Sequence, residues 1–387
     1  MQPRTKGLVA ALTGTALGVG GLVMLTVPAG ADDAPVLPEI SAQELVRTAL
    51  QADPPAFAGK VVMQQNLGLP VPTGGDGSGA ASFGLGFESA RIFHDGDEGV
   101  RIAIQDLSAE FTLVRNADEL WTYDSAENTA TRLDTDDVEA AREQAGKPGP
   151  RRIPSRQPAE MADPAKVAQA IVDRLSETST ITVDGTAMVA DRPAYELVLT
   201  PKPTERTVLR EVKVAVDAET RLPLRFEVMG NGSTEPIFSL GFTEFTVGAQ
   251  PERLFEFTPP KDAKIVDAQK ALKERADMAP SPQEQEAMQR FGSALDVVGD
   301  GWDTVLTGKV PQDVPAERAH PDGESDRWDG DAESPQDLLD GYGKRITGAF
   351  GAGYVITSNA GSALITDDGR FAVGAVPVQV LEQALAK

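Results

Sequence analysis

The chain has 387 residues, 41% of them hydrophobic, which is enough for one large domain and a smaller one. With 36 Lys and Arg against 59 Asp and Glu, its formal charge of −23 repels phosphate backbones, so no nucleic-acid partner is expected. It has no cysteine, which excludes disulfides, thiolate metal sites, cysteine nucleophiles and lipid attached to an N-terminal Cys. The 37 Gly and 28 Pro beside only 5% aromatics favour a turn-rich, mainly β protein.

Arg4 and Lys6 precede an uncharged run from Gly7 to Ala29 that ends in Ala29-Gly30-Ala31, the layout of a secretory signal. The run is also long enough to span a bilayer, so residues 1–31 read either as a cleaved signal or as a membrane anchor through 7–29. In both cases the chain from Asp32 onward is expected to be extracytoplasmic. Ser41 to Glu44 forms a capping box, and Leu45, Val46, Ala49 and Leu50 place one apolar stripe on a short helix over 41–52.

From Phe57 the pattern changes to period two. Val61 and Met63, Ile102 and Ile104, and Phe111 and Leu113 alternate with polar neighbours, as hairpin strands do. Two stretches interrupt them: the glycine-rich 74–86, and 144–161, which carries four prolines and Lys147, Arg151, Arg152 and Arg156. Both read as surface loops; the alternatives are that Phe83, Leu85 and Phe87 of the first dip into an apolar cavity and that the basic residues of the second contact an anionic head group. Asp163-Pro164 then starts a helix over 163–177, with Val167, Ile171 and Leu175 on one face.

The clearest β region comes next. Ile181 and Val183; Tyr195, Leu197 and Leu199; Val212, Val214 and Val216; Leu222, Leu224 and Phe226; and Phe238, Leu240 and Phe242 alternate in turn. Turns fall at Ala190-Asp191-Arg192, Asp217-Ala218-Glu219 and Asn231-Gly232. The reading is an antiparallel meander of some nine or ten strands packed on one side only, with Phe255 to Pro260 as its last edge strand. Two helices are a narrow cover for so wide a sheet, which leaves room for a ligand.

The remainder divides into a linker with an acidic low-order segment (268–334) and a small α+β module (335–387). The module is expected to open on a helix capped at Ser334-Pro335 that carries Leu338, Leu339, Tyr342 and Ile346. Strands at 353–357, 362–366 and 370–376 come after it, and a last helix carries Val378, Leu381 and Leu385.

Arg192 to Lys202, Val214 to Val228 and Phe255 to Lys264, with Phe111 to Leu133 upstream, resemble actinobacterial members of the LolA-like lipoprotein carrier superfamily over roughly residues 35–267. The resemblance implies an α+β protein built on an open antiparallel half-barrel whose concave apolar face, covered by helices, holds acyl chains without catalysis. It also implies a likeness to mycobacterial lipid carriers and to the periplasmic sensor of the sigma-E envelope stress response. Two departures stand out: there is no lipobox cysteine, and about 120 residues lie beyond the half-barrel.

No catalytic pattern competes. His94 and His320 are the only histidines, and neither has zinc-ligand spacing. Ser78 and Ser82 lie in the glycine-rich stretch rather than at a nucleophile elbow, and no phosphate-cradling motif occurs. The acids from Asp322 to Glu333 miss the EF-hand spacing. A non-enzymatic monomer without cofactor is therefore expected. Its partner would be a lipid or acylated lipoprotein, or, for a sensor, a membrane protein such as an anti-sigma factor. Tyr195, Leu197, Leu199, Val214, Leu224, Phe226, Leu240 and Phe242 are the expected cavity lining, and aspartate at Leu224 or Phe242 is expected to remove the ligand while the fold survives. A 16-carbon chain could contribute about 12 kcal/mol before ordering costs, at ~0.8 kcal/mol per buried CH₂.

Overall fold

The computed structural model describes residues 35–68, 87–105, 109–134, 164–268, 295–309 and 341–386. The N-terminal run, the glycine-rich and proline-rich loops, the acidic cluster, His320, Ser78, Ser82 and the start of the helix at Ser334 lie outside them.

Helix α1 (Ala42–Leu50) begins as its capping box requires: Ser41 Oγ accepts from the Glu44 amide at 3.2 Å. The return half of the box is absent, because the Glu44 carboxylate pairs with Arg47 instead. Six strands come after it: β1 (Phe57–Gln65), β2 (Ser89–His94), β3 (Val100–Gln105), β4 (Glu110–Arg115), β5 (Glu119–Asp124) and β6 (Thr129–Asp134). Helix α2 (Pro164–Thr178) leads into β7 (Ser179–Val189), β8 (Arg192–Pro201), β9 (Leu209–Asp217), β10 (Pro223–Gly230) and β11 (Pro236–Val247).

Hairpin turns set these registers. Asn116 Oδ1 accepts from the amides of Asp118 and Glu119, and Gly232 takes a φ of 80° between β10 and β11. Between β7 and β8, Ala190 and Asp191 take the left-handed region without glycine. With β12 (Lys264–Asp267) the strands form one sheet in the order β12-β6-β5-β4-β3-β2-β1-β11-β10-β9-β8-β7. It is an open sheet of twelve strands, wider than the nine or ten expected, and mostly antiparallel.

Phe255 to Pro260 is not an edge strand. A 3₁₀ turn at Glu252–Phe255 ends on the buried Phe255, and Phe257 continues to the rings of Trp121 and Tyr123 at 5.6 and 6.0 Å. Pro259 and Pro260 have no N–H for a ladder. The edge forms only beyond them, at β12, which runs parallel to β6.

A second sheet has the order β13-β14-β18-β17-β16-β15. Its strands β13 (Asp296–Val298) and β14 (Val305–Lys309) come from the stretch expected to be linker. Ile346, expected on a helix, lies in β15 (Lys344–Gly348) opposite Gly353 of β16 (Gly351–Ser358). Pairing with a neighbouring strand overrides the helical spacing here, and β-branched Ile346 and Thr347 suit a pleated edge. β17 (Gly361–Thr366), β18 (Arg370–Gly374) and helix α3 (Val378–Leu385) complete the unit around Leu364, Val376 and Leu381.

Hydrogen bonds between connecting segments join the two units. The Val208 amide donates to Ala375 O at 3.0 Å, the Asn359 amide to Leu67 O at 2.7 Å, and the Trp302 indole to Ser179 Oγ at 2.8 Å.

At the β8–β9 end of the large sheet the fully buried Asp217 accepts both Nε and Nη2 of Arg192 at 2.8 Å, and Thr220 donates to it through amide and hydroxyl. Burial pushes this carboxyl up, but the bonds from Arg192 and Thr220 outweigh it and hold the group below the usual carboxylate range. Asp217→Asn leaves Arg192 only the exposed Glu219 as an ionic partner and is expected to cost ~3 kcal/mol in urea denaturation. Because the native carboxyl titrates low, this stabilisation is complete above its unfolded pKa of about 3.9 and is lost as pH falls through the native one. The stability gap between wild type and variant should therefore be flat at neutral pH and narrow below about pH 4.

Candidate ligand-binding face

Register places half of the expected lining in one row. Leu197 pairs with Val183 on one side and Val214 on the other; Val214 pairs with Phe226, Phe226 with Leu240, and Leu240 with Met63. Directly paired residues point to the same face. Six strands, β7-β8-β9-β10-β11-β1, thus present an unbroken apolar row about 24 Å long at ~4.8 Å per strand. One pleat step away, Leu199, Val212, Val228 and Phe238 form a second row.

The alternate residues show which face is wet. Arg225 binds Glu196 at 3.1 Å and Glu227 at 3.4 Å, and Lys213 lies 3.6 Å from Glu211. The apolar face is the one beneath α1, where fully buried Leu45 packs on Tyr195 and Val216, with Leu197, Val214 and Val183 around them. Helix α1 covers this end only. Phe226 stays 38% exposed, with Phe238 edge-on at 6.1 Å, and Leu197, Leu199, Val214 and Leu240 are half-buried. Among the described residues the rows are not closed as a core is.

The other expected residues go elsewhere. Tyr195 is sealed under α1. Leu224, 1% exposed, and Phe242 belong to a separate cluster with Phe57 and Phe245, where Phe242 makes edge contacts to both rings at 6.1 and 5.0 Å. A bulge between Pro223 and Arg225 takes Leu224 out of the regular pairing. Ala194 and Ala215, neighbours of Tyr195 and Val216 along the same strands, join that second cluster, so both faces of β8–β9 are buried at this end. The expectation of a sheet packed on one side fails there. Val183 and Met63 complete the row and were outside the expected lining; their period-two spacing was the available signal, but only register joins them to Leu197 and Leu240.

Arg221 had no sequence signal at all. It sits after the β9 turn with a φ of 63°, and its guanidinium lies over the Tyr195 ring at 5.2 Å, beside α1. Its Nη1 is buried, with no hydrogen-bond partner among the described residues.

His94 has a structural place. Its ring stacks on Phe57 at 5.7 Å, and Nδ1 accepts from the Gly96 amide at 3.0 Å in the β2–β3 turn. No cluster of acids and histidines that could hold a metal occurs among the described residues. A cleft of about 570 Å³ lies in the second unit between Lys344, Ile346, Val378 and Glu382, and none of the expected lining borders it.

Residues 82–267 match the MucB/RseB N-terminal domain family. Similar solved structures include the MucA/MucB complex of Pseudomonas aeruginosa, with 14% identity, 89% of this chain and 96% of that chain covered, and a TM-score of 0.36. The lipoprotein LppX of Mycobacterium tuberculosis is 11% identical over 54% of this chain and 98% of that one, with a TM-score of 0.27. An uncharacterized conserved protein of Thermus thermophilus is 13% identical over 58% and 98%, with a TM-score of 0.31. No curated protein matches. Among the described residues no helix is long and apolar enough to cross a membrane.

The burial contrast replaces the expectation for Leu224. Leu224→Asp places a charge in a filled cluster and is expected to cost at least ~3 kcal/mol in chemical denaturation. Phe226→Asp, at a partly open position, is expected to cost about 1 kcal/mol or less.

Proposed function

We propose that the protein is an extracytoplasmic holder or carrier of lipids or acylated lipoproteins, binding acyl chains by desolvation and without catalysis. The observation that carries this reading is the row from Val183 to Met63, apolar across six strands and covered at one end by α1. A chain laid along it needs no polar partner, since its binding energy comes from hydrocarbon removed from water. Leu199, next to that row, belongs to the same surface; Tyr195, Leu224 and Phe242 support it from the flanking clusters. Helices α1 and α2 serve as the lid.

A family match alone does not choose a function. The match of residues 82–267 to the MucB/RseB domain supports a second reading, a sensor whose half-barrel binds a membrane protein such as an anti-sigma factor. Deletion of the second unit separates the two. A sensor loses a specific membrane partner in pull-downs while its lipid content is unchanged.

The test of the first reading is native purification followed by lipid extraction and mass spectrometry. The wild-type chain should carry co-eluting lipid, and Phe226→Asp or Leu240→Asp should lower its occupancy by roughly tenfold while the protein stays folded, as expected for about 1.4 kcal/mol of lost binding. Absence of lipid, with no competition from an added acyl probe, would refute the proposal.

A further inference from the structure

A buried donor without an acceptor is expensive, and the half-buried Arg221 holds its Nη1 in that state among the described residues. The acids of the adjoining turn, Asp217 and Glu219, are engaged by other groups. Asp217 is occupied by Arg192 and Thr220, and Glu219 by Arg192 at 2.8 Å. Glu44 on α1 is hydrogen-bonded to Arg47, and the nearby Arg221 charge helps to hold its carboxyl low, but no acceptor meets Arg221 Nη1 among the described residues. The guanidinium rests instead on the Tyr195 ring. Tyr195 is one pleat step from Leu197, so Arg221 stands where the end covered by α1 gives way to the open apolar row.

We propose that Arg221 receives the acid group of an amphiphile whose acyl chain lies on the row from Val183 to Met63. The inference rests on the acyl-binding reading above and narrows it to anionic ligands, either carboxylates or phosphates. The planar guanidinium can donate two hydrogen bonds to one such group while its face stays on the ring. The apolar row supplies the affinity, and the arginine selects the head group and fixes which end of the ligand lies under α1.

The test uses the delipidated full-length chain and four probes: oleate, methyl oleate, oleoyl lysophosphatidate and monoolein. In the wild type the acids should bind about tenfold more tightly than their neutral counterparts, the gain expected from a charged hydrogen bond. Arg221→Gln should erase that preference. A preference within the oleate pair alone assigns a carboxylate, and one within the lysophosphatidate pair alone assigns a phosphate. Glu44→Gln, a surface change on α1, removes a neighbouring negative charge and should enlarge the preference; it keeps the proposal testable should Arg221→Gln fail to fold. Equal binding of acid and neutral probes by the wild type, a preference that survives Arg221→Gln, or one that shrinks in Glu44→Gln overturns the assignment. Binding of none of the four probes instead overturns the acyl-binding reading itself.

Discussion

A pleated ladder turns every second side chain to one face, and each cross-strand pair carries that face to the next strand. From β7 to β1 this holds across five successive pairings, so one apolar surface is assembled from residues that are far apart in the chain: Val183 and Met63 are its two ends. Everything proposed for the protein depends on that continuity. A slip of one residue in any pairing would turn an entire strand's apolar set to the wet side.

Where the register is interrupted, burial changes with it. The bulges at Lys60/Val61 and at Pro223/Arg225 lie at the same end of the sheet as the aromatic cluster of Phe57, Phe242 and Phe245. Near that end the buried Asp217 fixes Arg192 and the turn through Thr220, and the Arg192 guanidinium lies 5.6 Å from the Phe245 ring. One end of the sheet is thus a closed core, with α1 on one face and the aromatic cluster on the other. The middle is left to the half-buried rows around Phe226. A rigid end beside an open middle suits a surface that admits guests while its frame is held.

The second unit is fastened to this frame beside α2. Trp302 bonds to Ser179, the first residue after α2, and Lys202 Nζ donates to the carbonyls of Ser176 and Glu177 in the last turn of α2. The C-terminal end of that helix is therefore tied both to the sheet beneath it and to the added unit. The described part of the second unit is thereby joined to the helix that lies beside the proposed binding face.

Period and turn chemistry were legible in the chain by itself: the strands from Phe57 to Phe242, the cap at Ser41, the turn at Asn231-Gly232 and the absence of catalytic spacing. These are local properties, written within a few residues of where they act. Tertiary structure alone decided which apolar positions share a surface. Leu224 and Phe226 read alike in sequence, yet one is core and the other half-open, because a bulge and the reach of α1 are set by the other strands. The same holds for Ile346, drawn into a strand by pairing with Gly353, and for Arg221, whose Nη1 has no acceptor among the described residues while Arg192 holds Asp217 and Glu219. Such outcomes depend on non-local pairing and on competition for partners, and no window of sequence contains either.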